Sequence, residues 1–582
     1  MLVAIDTETT GLNTWKGDRP FLVTLHFENG SKKAIRGVVD PFTRKVSWSK
    51  TKLALLQRIL SNPHHRFVAH NIKFDRRMLQ AIGLVLPSRI DDTYVAMHTL
   101  RGHERLGLKA VCKRYLGIGD DDETALQKAT TSARRTGKKR GWLLAEDVEA
   151  DYWMAPRAVC EEYALMDVER TLKLWQNIEP MLDEEDCRGV YERELALLKV
   201  TESLEARGMH VDLEVVDSEI DRYEKVMDSL NDRIEEGAWP GFCCTNTNDL
   251  RKLVYEQLGL VPTTFTETHL PSVDKDTLRD IDHPLIVDIR NWRAADSAVN
   301  KFLRPYKALA VEGVIHPDFQ QNGPVTGRYS CKMPNLQNVS RGMQEDERVI
   351  PIEARKPFGP RLGYMWYAYD YSQVEARLLA VLSREPTLCE AFAAGKDVHL
   401  EMALRIWGDP TKRTLAKQIV YATIYGAGKG IISKKFNISL QAASNAIRQF
   451  HRAAPRIRAY SNELQEELSR VGYIRTLGGR KIYTDPARPY AVLDHKIQGT
   501  AADQTKIAMA RVFAFLPSLP DAYLVSTVHD ELIIETSVPF TPATHAEVKR
   551  LMGETWPEIT IPLDVDVSLI TKSWAKKEKL KC

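Results

Sequence analysis

Two aspartates stand at the ends of apolar, β-rich runs in the last third of this 582-residue chain. Asp370 closes the aromatic run 364–369, and the spacing of apolar residues over 374–382 then predicts a helix. Asp530 divides the β-rich segment 523–536 into two runs so close together that they predict a tight hairpin. A carboxylate at a strand end and another at a hairpin tip can converge, although each alone could be a helix cap or a turn residue.

Paired carboxylates of this kind suit divalent metal chemistry. Hard oxygen ligands favour Mg²⁺, which keeps some of its water and also binds substrate phosphate. Two such ions can hold the attacking and leaving oxygens of a phosphoryl transfer. The pair therefore predicts a site with two Mg²⁺, for which Mn²⁺ is the alternative ion.

A cationic helix face is predicted between the two aspartates. Arg413, Lys417, Tyr421 and Tyr425 recur every four residues and so share one face, and glycines end the helix directly afterwards. A solvated helix more often mixes lysine with glutamate, whereas this stripe carries two cations, two phenols and no acid. We predict that it binds phosphates and a stacked base.

Six motifs, in the order expected over about residues 190–582, resemble those of the family A, polymerase I-like DNA polymerases. They are Thr326-Gly-Arg-Tyr-Ser330 with Asn335-Leu-Gln-Asn338, Asp370-Tyr-Ser-Gln-Val-Glu375-Ala-Arg377, Gly395-Lys-Asp-Val-His399, Arg413-Thr-Leu-Ala-Lys417 with Tyr425-Gly426, Gln498-Gly-Thr-Ala-Ala-Asp503 and Val528-His-Asp-Glu531. The resemblance implies a right-hand polymerase of palm, fingers and thumb.

The resemblance also implies roles for individual residues. Asp370 and Asp530 would hold the metals, and Glu531 would support that site. Glu375, packed beside Tyr425, would fill the space that a ribose 2′-hydroxyl needs. The implied contacts with the incoming nucleotide are made by Tyr371, Gln373, Glu375, His399, Arg413, Lys417, Tyr421 and Tyr425. The implied contacts with the primer–template are made by Arg328, Gln498 and His529.

One position departs from the family's pattern. Four residues before Gln498 the family commonly has asparagine, whereas this chain has Asp494. A carboxylate there cannot donate a hydrogen bond, which puts a template or minor-groove contact in doubt.

The N-terminus carries a second set of acids. Asp6 and Glu8 lie two apart on a predicted strand and so share one face, which is costly unless a cation lies between them. Asp-x-Glu alone is more often a solvated turn. Followed by Asp75 and by Tyr163 and Asp167 on one helix face, it resembles the DEDDy 3′–5′ exonucleases over about residues 1–180. The four carboxylates would then be metal ligands, and Tyr163 would orient the attacking water in an active proofreading site.

These motifs predict a multidomain chain of mixed α/β and α+β class. An RNase H-like exonuclease domain would occupy residues 1–185, and a polymerase domain would occupy residues 186–582. Within the latter we expect a thumb over about 190–315, a palm over about 316–385 and 485–582, and fingers over about 386–484.

Composition adds a few constraints. The net charge of only +3 means that basic residues must be concentrated to hold DNA. The basic run 134–140 has no apolar period, which predicts a mobile loop first and a DNA contact second. The eight cysteines lack Cys-x-x-Cys spacing, and neither a signal peptide nor a membrane-length apolar run is apparent. We therefore expect a cytoplasmic protein with reduced thiols.

The combined expectation is a DNA-templated DNA polymerase that proofreads and acts in DNA replication. Its partners would be primer–template DNA, dNTPs, and a replisome helicase, primase or processivity factor, with no membrane. Because the exonuclease motifs begin at residue 1, no room is left for a 5′-nuclease domain. That compactness resembles a bacteriophage replicative enzyme, which would work in the host cell cytoplasm.

Two rival functions remain open. A single-subunit RNA polymerase would share paired aspartates, lysine and tyrosine, but the proofreading motifs and Glu375 argue against it. A non-catalytic DNA-binding relative would be expected to have lost carboxylates, and none is lost.

Overall fold

A computed structural model of the chain describes residues 1–119, 121–340, 342, 346–424, 428–436 and 438–581. The N-terminal part contains seven strands among the described residues: β1 (Leu2–Thr9), β2 (Pro20–Phe27), β3 (Lys32–Arg36), β4 (Val38–Val39), β5 (Val46–Ser47), β6 (Arg66–Ala69) and β7 (Asp91–Asp92). Its helices are α1 (Lys50–Leu60), α2 (Ile72–Gln80), α3 (Thr93–Arg101), α4 (Leu108–Leu116), α5 (Asp121–Lys139) and α6 (Arg157–Glu184).

A mostly helical segment follows. Its helices are α7 (Arg188–Arg207), α8 (Leu213–Gly237), α9 (Thr247–Arg251), α10 (Lys275–Arg279), α11 (Pro284–Ser297) and α12 (Arg304–Leu309). Its short strands are β8 (Met209–His210), β9 (Val314–Ile315), β10 (Asp318–Gln320) and β11 (Ser330–Lys332).

The remainder alternates between a sheet and a helical insertion. Its helices are α13 (Val374–Leu382), α14 (Pro386–Ala393), α15 (Val398–Trp407), α16 (Arg413–Ile424), α17 (Lys429–Phe436), α18 (Leu440–Ala453), α19 (Pro455–Val471), α20 (Val492–Phe515) and α21 (Pro542–Gly553). Its strands are β12 (Met365–Tyr371), β13 (Ile474–Arg475), β14 (Lys481–Ile482), β15 (Ala522–Val528), β16 (Glu531–Thr536), β17 (Val565–Ile570) and β18 (Glu578–Leu580).

The N-terminal sheet has the strand order β3-β2-β1-β6-β7. Strands β1, β2 and β3 are antiparallel neighbours, whereas β6 and β7 add in parallel. Apolar residues of β1, β2 and β6 share a buried cluster with α3 and α6. This arrangement confirms the predicted α/β class for the first part of the chain.

The second sheet is antiparallel throughout and has the order β15-β16-β12-β17-β18. Asp370 is the second-last residue of the central strand β12 and lies opposite Glu531 on one side and Asp566 on the other. The predicted strand before Asp370, the helix over 374–382 and the hairpin around Asp530 are all present.

The predicted cationic helix corresponds to α16. Arg413, Lys417 and Tyr421 all lie within it, so their four-residue spacing places them on one helix face. Tyr425 lies outside the described residues.

The prediction of a mobile loop over residues 134–140 is wrong. Helix α5 runs through Lys139, with Leu126 and Thr130 fully buried. Trp142 folds back against Gly137, and Arg134 pairs with Asp151 at 3.4 Å. These few tertiary contacts stabilise the helix. The prediction used apolar periodicity, which does not reveal such contacts.

The N-terminal domain is joined to the rest of the chain by buried polar contacts. Lys73 of α2 donates to Glu205, to Asp318 and to the carbonyl of Phe319, each at 2.6 Å.

Over the described residues, no helix is both long and apolar enough to cross a membrane.

Candidate active sites

Asp370 and Asp530 meet at one end of the second sheet. The backbone N–H of Tyr371 approaches the carbonyl of Asp530 at 3.5 Å. In the turn between β15 and β16, His529 has a φ of 57°, and its N–H donates to the side chain of Gln337 at 2.8 Å. Gln337 also donates to the carbonyl of Thr527, so it holds the turn from both sides.

The surroundings of Asp530 and Glu531 favour a cation. The pKa of Asp530 is raised to about 6, chiefly by burial and then by the negative charge of Glu375. Glu531 is buried, with one oxygen accepting from Lys577 and the other lacking a hydrogen-bond partner in the described part of the chain. An unsatisfied carboxylate oxygen beside two aspartates fits a divalent metal ion in the donor chemistry it offers.

A cavity of about 320 Å³ opens beside Asp530. It collects residues from five separate motifs, and its walls include Arg328, Gln373, Glu375, Tyr421, Ala501, His529 and Asp530. Thr505 and Lys506 of α20 also line it, and the sequence analysis did not single them out.

Glu375 forms an ion pair across this cavity. Arg328 donates to its carboxylate, a contact between two motifs that the sequence analysis had assigned to different substrates. Tyr425, the neighbour expected for Glu375, lies outside the described residues. The observed partner of Glu375 is Arg328, which was itself predicted to contact the primer–template.

The residues before Glu375 turn the chain sharply into α13. Gln373 has a φ of 58°, and its side-chain oxygen is buried with no hydrogen-bond partner among the described atoms. The phenol of Tyr371 donates to the carbonyl of Met552 at 2.6 Å. The Tyr371 side chain is thus committed to the protein core, so a nucleotide contact at this residue would come from its backbone.

The two cations of α16 are more exposed than Tyr421. Arg413 pairs with Asp397 at 2.6 Å, and Lys417 is exposed. Tyr421 is half-buried, and its ring centroid lies 5.8 Å from that of His399. Burial lowers the pKa of His399 to about 4, so the ring is neutral at pH 7. A neutral ring at His399 could donate a hydrogen bond to a bound triphosphate.

Asp494 has a partner within its own helix. Gln498 donates to its carboxylate at 2.7 Å. Burial, followed by repulsion from Glu375, raises the pKa of Asp494 to about 6. The acid in place of the usual asparagine therefore occupies the amide of Gln498, a residue predicted to contact the primer–template.

The second group of acids assembles from three elements of the N-terminal domain. Asp6 and Glu8 come from β1, Asp75 from α2, and Asp167 from α6. Burial raises the pKa of all four carboxyls, to about 8 for Glu8 and about 7 for Asp75. Mutual repulsion adds to this effect, from Asp75 on Asp6 and from Asp167 on Glu8.

A divalent cation would relieve this repulsion, and the all-oxygen donor set fits Mg²⁺. Within the described residues, no three His, Cys, Asp or Glu side chains are arranged as a ready ligand set. The four carboxylates are therefore neighbours, but their oxygens do not converge on one point. Tyr163 lies on the same helix as Asp167, four residues earlier, and its phenol is largely buried.

Comparisons with known proteins match two separate parts of the chain to two families. A family model described as DNA polymerase family A matches residues 214–576, and one described as 3′-5′ exonuclease matches residues 1–183. The first match covers more than half of the sequence. The chain belongs to DNA polymerase family A.

The curated relatives of this family A chain include bacterial DNA polymerase I enzymes. A thermostable DNA polymerase I of Thermus filiformis is 30% identical over 475 residues, which cover 78% of this chain and 54% of that protein. DNA polymerase I of Chloroflexus aurantiacus is 28% identical over 542 residues, covering 88% and 55%. The chain spans about half the length of the curated relatives it matches.

A solved structure shares the fold of this family A chain. It is the POL domain of Pol1 from M. smegmatis in complex with DNA primer-template and dNTP, with a TM-score of 0.81 and 23% identity. The alignment covers 98% of this chain and 95% of that one. The bacteriophage type stays a prediction.

Several functional candidates of this family A chain escaped the sequence analysis. Lys109 and Arg170 bring positive charge to the N-terminal acids, and Gln337 and Lys577 brace the turn and the glutamate beside Asp530. Gln337 lies within a motif that was recognised without a role. Arg170 lies three residues after Asp167 on the same helix, a pairing distance that the sequence does display. Lys109 and Lys577 contact residues far away in the sequence, so no local spacing indicates their roles.

Proposed function

We propose that this chain is a DNA-templated DNA polymerase that extends a primer 3′ end with dNTPs and proofreads by 3′–5′ exonuclease action during DNA replication. The observation that carries the proposal is the meeting of Asp370 and Asp530 beside a cavity walled by Glu375, Tyr421 and Arg328. There Asp530, proposed to bind metal, and Arg328, proposed to contact DNA, adjoin one cavity of about 320 Å³ that would receive the nucleotide.

Asp370 and Asp530 would hold Mg²⁺, and the unsatisfied oxygen of Glu531 would support that site. When bound, two such ions activate the primer 3′-hydroxyl and neutralise the departing pyrophosphate. The exposed cations Arg413 and Lys417 would attract the triphosphate as its charge builds in the transition state.

Recognition of the substrates would come from the cavity walls. Glu375, which pairs with Arg328, would exclude a 2′-hydroxyl. The half-buried ring of Tyr421 offers a face for the sugar or base, and neutral His399 adds a hydrogen-bonding ring beside it. Arg328, Gln498 and His529 would contact the primer–template.

The N-terminal domain would remove mispaired nucleotides. Asp6, Glu8, Asp75 and Asp167 would hold the metals there, and Tyr163 would orient the attacking water. The raised pKa values of the acids support this role, because neighbouring buried carboxyls are stabilised as anions only by a cation.

The proposed partners are primer–template DNA and dNTPs, with a replisome helicase, primase or processivity factor as a further partner. The proposed compartment is the cytoplasm, where a bacterial or phage-infected cell keeps these substrates.

A primer-extension gel with a 5′-labelled primer on a longer template tests both activities. With Mg²⁺ and four dNTPs the primer should lengthen, and with Mg²⁺ alone it should shorten one nucleotide at a time. NTPs in place of dNTPs should extend it far less, which separates the proposal from an RNA polymerase. Failure to extend with dNTPs would refute the polymerase, and failure to shorten would refute the exonuclease.

A further inference from the structure

Lys109 reaches the N-terminal acid cluster from α4, a helix that carries none of the predicted site residues. Its Nζ donates to the phenol oxygen of Tyr163 at 2.6 Å and lies 4.3 Å from the centre of that ring. The same nitrogen is 3.8 Å from Asp167 and 3.1 Å from Glu123. One ammonium group thus contacts a predicted metal ligand, the predicted water-orienting phenol and an acid of α5.

The second cation of the cluster is held differently. Arg170 is almost fully buried, and both its terminal nitrogens donate to protein oxygens of Asp122, Asp167 and Gly119. Its contacts therefore serve to hold Asp167 and α5 in place. The side chain of Lys109 is 17% exposed, so it keeps an open side toward solvent.

We propose that Lys109 is a positioning residue of the exonuclease, acting through Tyr163, and that Glu123 of α5 sets its place. This inference rests on the proposed exonuclease function. The physical reason lies in the direction of the hydrogen bond. An ammonium has only donors, so the Tyr163 oxygen must accept from Lys109, and the phenol hydrogen is left to donate elsewhere.

That arrangement suits the hydrolysis of a phosphodiester. A water oxygen forms a bond to phosphorus, the bond from phosphorus to the 3′ oxygen breaks, and one proton of the water ends on that oxygen. The products are a nucleoside 5′-monophosphate and DNA shortened by one nucleotide. A phenol with a fixed hydrogen direction holds the water in line, and an ammonium beside it favours the anionic transition state.

Helix α5 receives a role from the same contacts. Its first turn supplies both Asp122 to Arg170 and Glu123 to Lys109. The acids of this turn therefore hold the two cations of the site at their observed positions. An ordinary surface ion pair between Lys109 and Glu123 would leave catalysis unchanged on removal, because exposed pairs contribute little.

The test is steady-state hydrolysis of a 5′-labelled single-stranded oligonucleotide by the full-length protein with Mg²⁺. Lys109→Met should lower kcat by about tenfold or more with little change in KM, because the change misplaces the water and not the DNA. Lys113→Met is the matched control, since Lys113 is an exposed lysine one turn later on the same helix. It should leave kcat unchanged.

Two more variants separate positioning from folding. Lys109→Arg keeps a cation and a donor and should recover most of kcat, whereas a merely structural lysine would give equal losses in both variants. Glu123→Gln should lower kcat by a smaller factor than Lys109→Met. Kinetics of Lys109→Met within twofold of wild type would overturn the proposal, and unchanged kinetics of Glu123→Gln would remove α5 from it.

Primer extension distinguishes this proposal from the one it rests on. All of these variants should extend a primer at the wild-type rate, because Lys109 lies far from the polymerase motifs in the chain and belongs to the other domain. A wild-type protein that never shortens DNA would refute the exonuclease itself. A wild-type protein that shortens DNA normally, beside an unimpaired Lys109→Met, would refute only the role of Lys109.

Discussion

Burial changes the chemistry of single side chains at both sites. Glu8, with a pKa raised to about 8, would not be fully ionised at neutral pH in the absence of a cation. Asp530 and Asp494, each with a pKa near 6, are also harder to ionise than exposed aspartates. The pKa of His399 is lowered instead, because burial disfavours the charged form of an imidazole as well. Each pKa shift disfavours the charged form of its side chain. The charge at both sites therefore depends more on the metal ions and phosphates that bind with the substrate.

The first residue-scale prediction concerns sugar choice. Glu375→Ala should open space at the 2′ position and release Arg328 from its ion pair, so ribonucleotide incorporation should rise relative to deoxyribonucleotide. The measurement is the ratio of kcat/KM values for matched dNTP and NTP. Glu390→Ala, at an exposed position, is the control. An unchanged ratio in Glu375→Ala would remove it from this role.

The second concerns Tyr421, whose side chain lines the cavity beside Asp530. A phenol can partly replace the contacts of a missing 3′-hydroxyl, so wild type should discriminate against dideoxynucleotides by about tenfold or less. Tyr421→Phe should discriminate much more strongly, since tenfold corresponds to about 1.4 kcal/mol, within reach of one hydrogen bond. Comparing kcat/KM for matched deoxy- and dideoxynucleotides checks this, and strong rejection by wild type would contradict it.

At the scale of elements, helix ends decide how the segments meet. Helix α7 ends at Gly208, whose φ of 62° and ψ of 178° suit glycine almost alone. A Cβ there would lie 2.6 Å from the backbone oxygen of Ile315 in β9. The end of α7 is therefore in close contact with the β8–β9 pair.

Gly208→Ala should destabilise the protein by about 2 kcal/mol through backbone strain and this clash. Thermal unfolding should show a lower Tm. Gly189→Ala, near the start of the same helix and free of close contacts, should leave Tm unchanged or raise it slightly. Equal behaviour of the two variants would contradict the strain argument.

At the scale of the whole molecule, buried charges connect elements from distant parts of the chain. Glu194 of α7 accepts from Arg480 and from Lys506 of α20, and Arg480 also pairs with Asp503 at 2.7 Å. Lys506 lines the cavity beside Asp530. Breaking one partner of such a network typically costs 3–5 kcal/mol, about the cost of an uncompensated buried charge. The network therefore ties the walls of the polymerase cavity to the helix that follows the exonuclease domain.

Two separate acid clusters predict two separable activities. Asp530→Ala should abolish nucleotide addition by removing a metal ligand, while primer degradation persists. Asp6→Ala combined with Glu8→Ala should do the reverse. Labelled-primer assays with and without dNTPs measure both activities in each variant. Loss of degradation in a folded Asp530→Ala protein would contradict the assignment of two sites.

Local pattern alone determined much of this protein. The spacing of neighbouring residues predicts the strand before Asp370, the helix that begins at residue 374, the hairpin around Asp530 and the face of α16. The order of the motifs indicated the family, which the comparison of residues 214–576 confirmed. These features depend on short-range periodicity, which a sequence displays directly.

Tertiary structure alone decided which charges meet and which are buried. Arg328 pairs with Glu375 and Lys109 contacts Tyr163, and each contact joins residues from different elements. The lowered pKa of His399 likewise results from burial in the packed fold. Helix α5 likewise depends on tertiary packing, because its basic second half lacks an apolar stripe of its own. Distances and burial of this kind arise only when the elements pack together, since electrostatic energy depends on separation in space and on exclusion of water.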